Sequence, residues 1–180
     1  MDKHFFTLPT LFILDLTSPG SPIEFLQSIN FLVNLKSKTL VITSCSKVKN
    51  NQKIEETVPA EDLYAGRLFQ KVRQYAELKG FDYMILSAKY GLIHPDEKIS
   101  AYDNVLRSKK DVEKIKNQAN TEFQKISNKY ETILVIAGKN YRLALADSWD
   151  ERFVYLKTGG YVWMQKMVTD AVKIMTACKL

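Results

Sequence analysis

Short apolar runs alternate along this chain with longer stripes of apolar residues at helical spacing. Leu11-Phe12-Ile13-Leu14, closed by Asp15 and the turn-forming Ser18-Pro19-Gly20, reads as a buried strand. A helix is expected next, with Ser21 as its cap, Pro22 at the first helical position and Glu24 completing a capping box. Phe25, Leu26, Ile29, Leu32 and Val33 then share one face. Thr39 to Ser44 is rich in β-branched residues and too short for a helix, so it predicts a second strand, ending in a polar loop from Ser44 to Thr57. Pro59 opens a helix predicted over about Ala60 to Leu78, with Tyr64, Leu68, Val72, Tyr75 and Ala76 on one face and Gly80 as its stop.

The same alternation continues to the end of the chain. Tyr83 to Ser87 predicts a third strand, followed by an irregular segment from Ala88 to Arg107. Val112, Ile115, Ala119, Phe123 and Ile126 mark a helix whose intervening lysines form a solvated face. Thr132 to Ala137 is a fourth strand with Gly138 as its turn and a short helix to Ala146, and Phe153 to Leu156 is a fifth. The last helix, about Gly160 to Ala177, places Met164, Val168, Ala171, Val172 and Met175 on one side, a spacing that fits core packing better than a cofactor box. Strands with continuous apolar interiors, alternating with helices, need crossover connections. The expected fold is therefore α/β, a three-layer α/β/α sandwich around a mainly parallel sheet of about five strands. Residues 1–38 form an expected strand-helix extension packed on a core of residues 39–180, the whole making one compact domain.

Composition narrows the function classes. The chain has 180 residues, a formal charge of +6 and a pI near 9.2, a balance that favours acidic partners such as nucleic acid or a phosphorylated nucleoside. Cys45 and Cys178 lie far apart without a CxxC motif or a neighbouring histidine, so neither a disulfide framework nor a zinc site is expected, and the location is read as cytoplasmic. The apolar run Phe5 to Leu16 is interrupted by Pro9 and Asp15, lacks a preceding cationic segment and falls short of the roughly 20 residues of a membrane span. No membrane association, metal or cofactor is expected, and the absence of GxGxxG argues against a dinucleotide oxidoreductase.

In an open parallel sheet, ligands bind beyond the carboxyl ends of the strands, which selects the loops after Ser44, Ser87 and Ala137. The first carries Ser44, Cys45, Ser46, Lys47, Val48 and Lys49. Small hydroxyls and cations at a strand end suit a phosphate or carboxylate, and they equally suit a solvated loop. A nucleophilic Cys45 would lack a histidine partner nearby in sequence. Asp62 stands in the first turn of the next helix, where it either complements the helix dipole or faces a ligand sugar or water. The second loop combines Ser87, Lys89, Tyr90 and Gly91, with Tyr102 and Asp103 further on. Gly91 supplies an unusual backbone conformation, Tyr90 is suited to stacking on a base, and His94 reads as a surface loop residue. Gly138 marks the third loop.

The ordered set Cys45-Ser46-Lys47, Pro59-Ala60 with Asp62-Leu63-Tyr64, Ser87 to Leu92, Pro95 and Tyr102-Asp103 resembles a family of poorly characterised microbial and viral α/β domains. That family is similar to the uracil-DNA-glycosylase-like fold, and related domains stand beside tRNA-guanine transglycosylase-type enzymes of deazapurine modification. The resemblance covers about Thr39 to Leu156 and implies cleavage or exchange of an N-glycosidic bond in a nucleic acid or nucleotide. It implies Asp62 or Asp103 as the catalytic carboxylate, Tyr64 and Tyr90 as stacking groups, and Lys47 and Lys89 as phosphate contacts. Ser44, Cys45, Ser46, Ser87, Gly91, Tyr102 and Gly138 complete the expected ligand-binding set. The water-activating motifs of established uracil glycosylases are absent. The competing expectation is a non-catalytic module that binds a nucleotide or modified nucleic acid.

Overall fold

The computed structural model describes residues 14–15, 22–36, 38–50, 56–157 and 160–178. Its elements run β1 (Leu14–Asp15), α1 (Pro22–Asn34), β2 (Thr39–Ser44), β3 (Thr57–Pro59), α2 (Ala60–Leu63), α3 (Arg67–Lys79), β4 (Asp82–Ser87), β5 (Gly91–Ile93) and β6 (Lys98–Ser100). They continue with α4 (Lys109–Ile126), β7 (Thr132–Ile136), α5 (Lys139–Ala144), β8 (Phe153–Lys157) and α6 (Tyr161–Cys178). Cap residue Ser21, the Glu24 side chain and most of the first apolar run lie outside the described residues.

Six strands form one sheet in the order β1-β8-β7-β2-β4-β5, parallel except for β5, which folds back on β4. The expected α/β architecture is thus present, with β5 as an antiparallel edge inside the segment read as irregular. The sheet alternates its side chains between two apolar layers. Val41, Leu134, Ile136 and Leu156 pack under α1, α3 and α6, whereas Leu40, Ile42, Ile133, Val135 and Phe153 pack under α4 and α5. Leu40, Val41 and Ile42 of β2 are wholly buried because this central strand is covered on both faces.

The layers follow from chain direction. Connections running toward β4, from β1 to β2 and from β2 to β4, carry α1 and α3 in the first layer. Those running the other way, from β4 to β7 and from β7 to β8, carry α4 and α5 in the second. All four crossovers therefore share one hand, as twisted strands require. The direction switches between neighbours β2 and β7.

The helix expected over about 60–78 is interrupted. Residues 48–50 lie beside the break, where Ala65 N–H donates to Val48 O (3.0 Å), Asn50 N–H to Leu63 O (2.9 Å), and Lys49 bridges Tyr64 antiparallel. Extended pairing at Tyr64 replaces the helical bonds, so α2 closes after one turn and α3 restarts beyond Gly66. Gly80 ends α3 in the left-handed region, with φ of 62°, as its position after the apolar stripe implied.

Gly91 has a stricter requirement. Its φ is +73°, and a Cβ there would meet Gln118 Oε1 at 1.5 Å. That oxygen accepts from Leu92 N–H (2.8 Å) while Gln118 Nε2 donates to Leu92 O (3.2 Å), so the α4 side chain seals the outer edge of β5. Gly91→Ala is expected to destabilise the fold by about 1–2 kcal/mol from backbone strain alone, with the clash adding to it. In a urea titration, combining it with Gln118→Ala should remove the clash and leave the backbone component. A wild-type midpoint for Gly91→Ala would refute the requirement.

Candidate functional site

Cys45 follows β2 directly, and its backbone N–H donates to Leu86 O of β4 (3.0 Å). Its Sγ lies 3.4 Å from the hydroxyl of Tyr141 on α5, the helix that follows β7. The contact spans the point where the connections of β2 and β7 diverge into opposite layers, the place where an open α/β sheet forms its crevice.

Beside it, Ser87 closes β4 with a fully buried hydroxyl. Its Oγ accepts from Lys89 N–H (3.2 Å), Tyr90 N–H (3.1 Å) and the Tyr64 hydroxyl (3.3 Å), and lies 2.7 Å from the Tyr102 hydroxyl. With its lone pairs taken, Ser87 has its own proton left for Tyr102. The Tyr64 and Tyr102 hydroxyls are 2.8 Å apart, closing a three-membered ring of hydroxyls. Burial, reinforced by Cys45, pushes the hydroxyls of Tyr64, Tyr102 and Tyr141 well above the usual phenol range, so all three act as neutral O–H groups.

Two lysines flank this hydroxyl ring. Lys49 Nζ stands 4.4 Å from the Tyr102 ring centroid, and Lys89 Nζ stands 4.8 Å from that of Tyr90 and 5.8 Å from that of Tyr102. Burial lowers the Lys49 ammonium below the ordinary lysine value, an effect opposed by the nearby Cys45 and Asp103. Tyr90 and Tyr102 meet edge to face, with centroids 5.4 Å apart at 85°. Asp103 is exposed and lines a cavity of about 450 Å³ with Ala88, Asn104, Leu106, Arg107 and Lys114.

The structure thus gathers Cys45, Tyr64, Ser87, Lys89, Tyr90, Tyr102 and Asp103. Other expected members serve different purposes. Asp62 projects from α2 toward Arg73, with Oδ1 3.7 Å from the guanidinium, and its carbonyl accepts from the Asn50 side chain. Tyr64 is wholly buried and meets Tyr102 and Phe69 edge to face, so its ring has no free face for a base. Ser46 clamps the loop to α3, its hydroxyl donating to Val48 O and accepting from Gly66 N–H (3.0 Å). Lys47 and Ser44 line a separate crevice of about 190 Å³ next to Cys45, Gly91 is held against Gln118, and Gly138 caps α5.

A family model matches residues 40–159 and is described as a family of unknown function (DUF6884). The chain belongs to this family. The matched span runs from β2 past β8 and so holds every member of the site, while α1 and α6 fall outside it. No curated protein matches the chain.

Tyr141 was not among the residues expected in the site, and Lys49, named as a cation of the first loop, was not assigned as a ligand contact. Lys49 shares its loop with Lys47, and only the pairing of residue 49 with Tyr64 turns one lysine toward the tyrosines and leaves the other exposed. Tyr141 stands on the helix after the third strand-end loop, a position that could have been read from the sequence. Ser87→Ala would leave two backbone N–H groups and the Tyr64 hydroxyl short of an acceptor. Its expected cost is about 1–3 kcal/mol, read as a lower thermal midpoint. An unchanged midpoint would show that Ser87 is not the hub.

Proposed function

We propose that the protein binds a nucleotide, or a nucleotide unit of nucleic acid, at the carboxyl ends of β2, β4 and β7, and cleaves or exchanges its N-glycosidic bond. The observation that carries this reading is the convergence of Lys49, Lys89, Tyr90, Tyr102 and Asp103 at the strand ends, beside a cavity of about 450 Å³. The lysines are suited to phosphate, and Tyr90, half-buried, offers the aromatic surface for a base. Asp103 supplies the carboxylate that offsets positive charge developing on the sugar or takes a proton from water. Asp62 is left to its ion pair with Arg73.

The second reading, a binding module without turnover, draws support from the same geometry, since one exposed carboxylate serves recognition as readily as catalysis. The two readings differ in product. Incubated with DNA, tRNA and free nucleotides carrying natural and deazapurine bases, wild type is expected to release base detectable by mass spectrometry. Asp103→Asn should reduce release by a factor on the order of 100 or more with binding retained, and Asp62→Asn should leave release near wild type. Saturable binding with no released base would favour the binding module.

Lys49 adds a pH signature. Its lowered value means that its charge is lost, as pH rises, earlier than for an ordinary lysine. Calorimetric affinity for a nucleoside monophosphate should therefore fall with rising pH from below pH 10.5, and Lys49→Gln should flatten that profile. An identical profile in the variant would remove Lys49 from the phosphate site.

A further inference from the structure

The loop that follows β2 borders two concavities, and each receives one of its lysines. Lys49 lies over the Tyr102 ring, at the site already described. Lys47 instead lines the crevice of about 190 Å³, together with Ser44, Val48, Phe69 and Tyr161. Two residues of chain reach at most about 7 Å, so the two lysines are rooted close together. Lys47 is exposed and has no carboxylate partner among the described residues. Tyr161 begins α6, beyond the span that the family model matches. Its hydroxyl accepts from Leu68 N–H (3.2 Å), which pins the side chain at the crevice. The residue is nevertheless 55% exposed, and its ring packs on no other aromatic ring among the described residues. Val48, 61% exposed, adds apolar surface beside it. The start of α3 is not the attraction here, because Gly66 N–H is bonded to Ser46 Oγ and Leu68 N–H to Tyr161.

A volume of about 190 Å³ is below the roughly 300–1,000 Å³ of sites that enclose a whole small-molecule ligand. It suits one flat group that is part of something larger, and an open aromatic ring next to an unpaired cation suits a base and its phosphate. We propose that this crevice is a second nucleotide subsite, in which Tyr161 stacks a base and Lys47 meets its phosphate, so that the ligand of the protein is single-stranded nucleic acid. The assignment rests on the reading that a nucleotide occupies the site at Tyr102 and Asp103. A mononucleotide fills one concavity and leaves the other empty, whereas a phosphodiester chain crossing the loop fills both. The strand has to be unpaired, because a duplex hides the faces of its bases in the stack. Cations continue on the far side of the first site. Arg107 lines the larger cavity without a carboxylate partner among the described residues, and exposed Lys109 and Lys110 follow it.

The test measures calorimetric affinity of the full chain for a nucleoside monophosphate and for a single strand of about eight nucleotides, made as DNA and as RNA. The strand should bind at least about tenfold more tightly than the monophosphate, and the tighter of the two strand chemistries is carried forward. Tyr161→Ala should weaken strand binding by about tenfold, the scale of one lost base stack, with monophosphate affinity unchanged. Tyr161→Phe keeps the ring and should keep the affinity; a loss equal to that of Tyr161→Ala assigns the effect to the hydroxyl and overturns the stacking. Lys47→Gln should reduce the slope of log affinity against log salt by about 0.7, the share of one phosphate contact in a single strand. Wild-type strand affinity in both Tyr161→Ala and Lys47→Gln overturns the subsite and leaves the nucleotide reading standing. A duplex of the same sequence bound as tightly as the strand overturns the single-stranded assignment. Binding of neither the monophosphate nor the strand overturns both readings.

Discussion

A parallel crossover has one hand, and from that constraint the layout of this molecule follows. Chain leaving β2 toward β4 must pass through the layer of α3, and chain leaving β7 toward β8 must pass through that of α5. Two neighbouring strands thus send their continuations to opposite faces, and nothing in the sheet itself fills the space between them. That gap is where Cys45 and Tyr141 meet. The strands on either side cannot shift to close it, because β2 is held by five residue pairings to β4 and five to β7 with its apolar residues buried on both faces.

A gap at the strand ends is a liability as well as an opportunity. Backbone groups there have lost their ladder partners, and the polar side chains that satisfy them lie in partly apolar surroundings. Ser87 resolves this at β4 by accepting two backbone N–H groups from the turn that follows. Its remaining capacity organises Tyr64 and Tyr102, and the tyrosines in turn give Lys49 and Lys89 their aromatic surfaces. The hydrogen bonds that complete the fold are thus the ones that set the tyrosines beside the lysines.

Most of the architecture was legible in the sequence because its signals are local. The β-branched run Thr39 to Ser44, the stripe from Val112 to Phe123 and the glycine at 80 each read correctly, since period and cap chemistry act over a few residues. The unbroken helix over 60–78 failed for the opposite reason. Residues 48–50, more than ten positions away, compete for the backbone around Tyr64, and propensity at Ala60 to Leu63 carries no trace of that competitor. The same long-range pairing explains why Lys47, and not its loop neighbour Lys49, was assigned as the phosphate contact. Residue type pointed to the loop, and register selected which lysine faces inward. Asp62 shows the limit in another way, for its acceptor role depended on whether Arg73, three turns along, would engage it.

The electrostatics of the site follow from which charges are already neutralised. Along the outer face of α3, Arg73 gathers Glu61, Asp62 and Glu77, so its one positive charge is taken up by carboxylates and the stretch stays acidic. Around Tyr102 the balance differs, with Lys49 and Lys89 set against Asp103. A positive excess beside buried aromatic rings is costly unless an anion shares it, because the rings exclude the water that would otherwise solvate the ammonium. The downward shift of Lys49 is the direct expression of that cost. A phosphate in contact with both lysines would reverse it, so the unliganded protein already carries the desolvation penalty that a neutral ligand would leave in place and an anionic one would offset. That asymmetry, more than the overall charge of the chain, is the physical basis for the phosphorylated ligand proposed at this end of the sheet.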